Sequence, residues 1–94
     1  MKVHVQIKHE ALKVDEEFAG ANAEAVVHAI KGRVARDLPF AMRLFVGGMS
    51  DLAFAQEIVR RYNSAEKHNV RIPGSCDEFL TLAQSNGFAT ITEA

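Results

Sequence analysis

Lys2-Val3-His4-Val5-Gln6-Ile7-Lys8 is the stretch that decides the fold. Its apolar residues stand at every second position, the period of a strand with one face buried and one face wet. Leu12, Val14 and Phe18 carry the alternation on after a break at His9-Glu10-Ala11. The two runs predict a β-hairpin with a short turn. Glu16 stands where the alternation calls for an apolar residue, which marks the second strand as the weaker one.

The pattern then changes to helical spacing. Asn22 is the candidate N-cap, followed by a stripe of Ala23, Val26, Val27, Ile30 and Val34. Lys31, Arg33 and Arg36 fall off the stripe in its last turns, where the helix dipole favours cations. Pro39 stops the helix and turns Leu38 away from it. From Phe40 to Val46 the chain reads Phe-Ala-Met-Arg-Leu-Phe-Val, with one charge, between Pro39 and Gly47-Gly48. Periodicity does not separate helix from buried strand there. The proline and the Ala, Met, Arg and Leu content favour a short helix.

Ser50 caps the next helix, whose apolar face is read as Leu52, Ala55, Ile58, Val59 and Tyr62. Val70 and Ile72 bracket an extended stretch before Pro73-Gly74. Ser75-Cys76-Asp77-Glu78 is a capping box, in which serine and glutamate satisfy orphan N–H groups at a helix start. Phe79, Leu82 and Ala83 supply that helix's apolar side, and Asn86-Gly87 ends it with a left-handed residue. Phe88 to Thr92 reads as a last strand. The expected fold class is α+β, in the order β-β-α-α-α-α-β. A small antiparallel or mixed sheet, made of the N-terminal hairpin and the C-terminal strand, would be covered by three to four helices.

Ninety-four residues make one domain, spanning 1–94. The hydrophobic share is 48% and the charged share 24%, both usual for a globular chain. A lone cysteine, Cys76, excludes an internal disulfide. The N-terminus lacks the continuous apolar run of a signal peptide, and no apolar stretch nears the ~20 residues of a membrane span, so no membrane partner and a cytoplasmic location are expected. The net charge of −1 excludes a globally basic nucleic-acid binder, but the distribution is uneven: −2 over residues 1–30, +4 over 31–71 and −3 over 72–94.

Five features bear on function, each with a bland reading beside the sharp one. Cys76 opens a helix, where a dipole stabilises a thiolate, but Asp77 and Glu78 follow it and no histidine stands near in sequence. His4, His9, His28 and His68 are scattered without metal-ligand spacing, so they read as solvent-facing. Gly47-Gly48 before Ser50 offers backbone N–H groups to an anion, or is a turn that needs glycine dihedrals. Arg33, Arg36, Arg43, Arg60 and Arg61 form a basic patch for phosphates or an acidic partner, or a solvated, ion-paired surface. Phe40, Met42, Leu44, Phe45 and Met49 crowd together around Val46, as a buried element or as an interaction surface.

No set of acid, base and nucleophile stands out, so no catalytic residue, metal or cofactor is assigned. The leading expectation is a small protein-interaction module that binds a protein partner or itself through Phe40–Met49. The alternative is a nucleic-acid-associated accessory or regulatory domain using the arginines. A weaker one is a small enzyme or anion-binding domain.

Overall fold

The computed structural model describes residues 1–9 and 12–94 of the chain. Its elements follow the expected order: β1 (Lys2–His9), β2 (Leu12–Ala19), α1 (Ala23–Arg36), α2 (Phe40–Gly47), α3 (Asp51–Glu66), α4 (Cys76–Ser85) and β3 (Ala89–Glu93). Of the turn expected at His9-Glu10-Ala11, Glu10 and Ala11 lie outside the described residues.

The sheet is wholly antiparallel, in the order β2-β1-β3, so the N-terminal strand is central. Val3 pairs with Phe18, Val5 with Glu16 and Ile7 with Val14, which puts all six on one face. Ile91 and Ala89 face Val3 and Val5 from the other side. Val3, Val5, Val14, Phe18 and Ala89 are buried, whereas Lys2, Gln6, Lys8, Lys13, Asp15 and Glu17 on the opposite face are exposed. The helices therefore cover one face of the sheet and water covers the other, the α+β arrangement that the period-2 pattern implies.

Helices α1, α3 and α4 each start at a residue whose side chain caps them. Asn22 Oδ1 accepts from Ala25 N at 2.9 Å, Ser50 Oγ from Ala53 N at 3.1 Å and Ser75 Oγ from Glu78 N at 3.1 Å. Glu78 completes the capping box by reaching back to Gly74 N at 3.1 Å. Gly87 has φ of +82°, the left-handed end that glycine allows. Gly20 has a different reason: a Cβ there would stand 2.7 Å from that of Ala25 as the chain enters α1.

The whole apolar stripe of α1 is buried, and α1 packs on β2 and against the other three helices. The face of α3 needs a correction: Phe54, absent from its predicted stripe, is 2% exposed and among the largest fully buried side chains, while Leu52 is half-buried. Phe54 sits four residues before Ile58, so it belongs to the same stripe as Ala55, Ile58 and Val59. The connection from α3 to α4 is held by side chains. Asn63 exchanges two hydrogen bonds with the Val70 backbone, at 2.8 and 2.9 Å, and Gln56 donates to Pro73 O at 2.9 Å. Among the described residues no helix is long and apolar enough to cross a membrane.

Candidate functional site

The Phe40–Val46 stretch is a helix. Pro39 is its N-cap with φ of −56°, and the helix closes at Gly48. Eight residues make little more than two turns, so its packing decides what it shows to solvent. Val46 is buried, and Met42 and Met49 are half-buried, Met49 against the core. Phe40, Leu44 and Phe45 are 71%, 63% and 55% exposed. At about 100° per residue, Phe40, Leu44, Ala41 and Phe45 fan across an arc of about 140°, and Met42 and Val46 lie behind it. The crowded stretch thus divides into an anchoring side and a bare apolar side. No polar side chain interrupts the arc. Arg43, the helix's only charge, borders it and donates to Leu38 O at 3.3 Å.

The arginines of the middle segment stand on α1, α2 and α3 and, for Arg71, on the connection to α4, and most carry counter-charges. Arg33 on α1 is paired with both Glu16 and Asp37. These two carboxylates, Asp37 first, raise the guanidinium pKa and fix its charge. Glu57 on α3 lies 3.6 Å from Arg60 and 3.2 Å from Arg61, and Arg71 lies 3.2 Å from Glu78. Arg36 is exposed in the last turn of α1. Ion pairing lowers the charge that this set offers a phosphate chain.

The remaining candidates sit apart from one another. Cys76 is at the first position of α4 but only 4% exposed. Burial raises its thiol pKa, and the carboxylates of Glu24, Asp51 and Asp77 raise it further, so the sulfur stays protonated. His4 meets Asp15 at 2.5 Å on the wet face of the sheet, His28 meets Asp51 at 3.0 Å, and His68 stacks on Tyr62 with centroids 4.9 Å apart. Among the described residues no three His, Cys, Asp or Glu side chains gather where they would hold a metal ion. The Gly47-Gly48 turn does not use glycine dihedrals: Gly48 is right-handed, with φ of −82°. Asp51 occupies the start of α3, paired with Lys31 at 3.2 Å, and Lys31 also donates to Met49 O at 2.9 Å. This position already carries its own carboxylate and cation.

Sequence reasoning missed one feature altogether. An apolar cleft of about 420 Å³ opens between β1 and α3, with α1 and α4 forming its other walls. No residue motif marks it, because it arises from how far α3 stands off the sheet. Comparison of the chain with family models, with curated proteins and with solved structures returns no match.

Proposed function

We propose that this chain is a protein-interaction module that associates with a second copy of itself through α2. The observation that carries the reading is the bare arc of Phe40, Leu44 and Phe45 beside the buried Val46. An apolar face of this kind on a helix is the usual mark of an interface, since monomers rarely leave large side chains grouped in water.

Three features favour a second copy as the partner. The arc carries no charge that would need a complementary surface, and an uncharged apolar face fits itself across a two-fold axis. Antiparallel pairing of two α2 helices brings Phe40 of one copy over Leu44 and Phe45 of the other. The net charge of −1 adds little repulsion between copies. The sheet edges are poorer docking sites. Edge strand β2 holds an inward-pointing carboxylate, Glu16, and edge strand β3 has five residues, with its Ile91 N–H donated to Gln84 Oε1 at 2.7 Å.

The test is a comparison by sedimentation velocity of the wild type with a Leu44→Lys, Phe45→Lys double variant. Both side chains are exposed, so the variant should keep its circular dichroism and melting temperature while losing self-association. Equal sedimentation of the two proteins at every concentration would contradict the reading.

A further inference from the structure

The link between α4 and β3 carries a covalent weak point that is independent of α2. The chain has four asparagines, Asn22, Asn63, Asn69 and Asn86, and only Asn86 is followed by glycine. In water the backbone nitrogen after an asparagine can attack the side-chain amide carbon, which puts asparagine among the thermolabile residues. A side chain on the attacking residue hinders that approach, and glycine has none. Ala23, Ser64 and Val70 follow the other three asparagines. Asn86 and Gly87 are both exposed, so water reaches the pair.

The fold engages both reacting groups in hydrogen bonds. Asn86 Nδ2 donates to Leu82 O at 2.8 Å, and the Asn86 backbone N–H donates to the same oxygen at 3.0 Å. The Gly87 N–H, whose nitrogen is the nucleophile, donates to Gln84 O at 3.2 Å. The Phe88 N–H donates to Ala83 O at 2.9 Å. These bonds close the end of α4, and a helix end is where local opening costs least. Opening that turn frees the Gly87 nitrogen and lets the Asn86 side chain swing toward it.

We infer that Asn86 is a site of spontaneous conversion to isoaspartate and aspartate, gated by opening of the last turn of α4. The Gly87 nitrogen bonds to Asn86 Cγ and gives up its proton. The Cγ–Nδ2 bond breaks, ammonia leaves, and a five-membered succinimide remains. Water then opens the ring at either carbonyl. Attack at Cγ gives aspartate, and attack at the main-chain carbonyl gives isoaspartate, whose main chain runs through Cγ. Both products replace the amide donor to Leu82 O by a carboxylate, at the end of a helix where the dipole disfavours negative charge. Isoaspartate also lengthens the main chain by one methylene. Phe88 O accepts from Gln6 N at 2.7 Å just before β3 begins, so the added length falls on the docking of β3 against β1.

The experiment incubates the wild type at mildly alkaline pH, folded and in concentrated urea. Each asparagine is followed by peptide mapping with mass spectrometry that separates α-linked from β-linked aspartate. In urea Asn86 should convert ahead of the other three, and in the folded chain it should convert several-fold more slowly than in urea. Ser85 is exposed in the last turn of α4 and sets how readily that turn opens. Folded Ser85→Gly should convert faster than folded Ser85→Ala, by roughly five-fold from their helix propensities. In urea the two variants should convert alike. The proposal is overturned if another asparagine converts first in urea, or if folded and unfolded wild type convert at equal rates. Equal rates in folded Ser85→Gly and Ser85→Ala, or no conversion in folded Ser85→Gly, also overturn it.

Discussion

Phe45 and Val46 are consecutive in the chain and stand about 100° apart around α2, the first 55% and the second 8% exposed. Val46 holds the helix to the core, and Phe45 belongs to the exposed apolar surface proposed to meet a second copy. Their substitutions should therefore separate stability from association.

Phe45→Lys should change unfolding free energy by no more than about 0.5 kcal/mol, because its ring leaves no cavity behind. Val46→Ala should cost about 1–3 kcal/mol, from lost transfer energy and the void left against the core. Urea unfolding of both variants at a fixed low protein concentration checks the contrast.

The pairing of Glu16 with Arg33 explains the break in the β2 alternation. The carboxylate stands on the inner face of an edge strand and meets a guanidinium on the last turn of α1 that also holds Asp37. The Glu16 side chain is 42% exposed, so solvent screens the pair. Glu16→Ala should cost roughly 0.5–1 kcal/mol, less at high salt. Glu16→Val should restore the alternation and expose a more adhesive edge, seen as light scattering that grows with concentration.

Asp51 ties the start of α3 to α1. Burial opposes its charge, but hydrogen bonds from His28 and Lys31 outweigh burial and lower its pKa from the ordinary 3.8. A lowered folded-state value means that the contribution is fully present above the unfolded pKa of about 3.9 and is lost as pH falls through the folded value. Asp51→Asn should destabilise by about 1–2 kcal/mol at neutral pH. The gap between wild type and variant should close below about pH 4, as measured by urea unfolding across an acid series.

Arg33, Arg60, Arg61 and Arg71 all have carboxylate partners. Mixed-sequence DNA and RNA should therefore show no saturable binding to the wild type even at about 50 mM salt, where phosphate contacts are strong. Fluorescence anisotropy of labelled strands checks this. Binding that falls steeply by about 200 mM salt, and is lost in an Arg60→Glu, Arg61→Glu variant, would favour the nucleic-acid alternative.

The elements were legible where local signals agreed. The α1 stripe is complete because each apolar residue recurs at helical spacing over about three turns, and Ser75 with Glu78 marked the start of α4. In α2 the sequence supported helix through Pro39, but apolar residues all round the helix left its orientation open. Only the docking of Val46 and Met49 decides that Phe40, Leu44 and Phe45 face outward. Phe54 was missed because the α3 stripe was traced from Leu52, and a second apolar row one residue along is equally regular. Glu16 was visible as a misfit and Arg33 as a surface cation. Their pairing depends on where α1 crosses β2, and the cleft on how far α3 stands from β1, which are tertiary facts.

The most direct test of the α2 account is a dilution series of the ¹⁵N-labelled wild type, followed residue by residue through its amide signals. The account predicts shifts that move with concentration and concentrate on Phe40, Ala41, Leu44 and Phe45, with the sheet edges β2 and β3 still. Signals that stay fixed at every concentration, or that move along β2 or β3 instead, would contradict it.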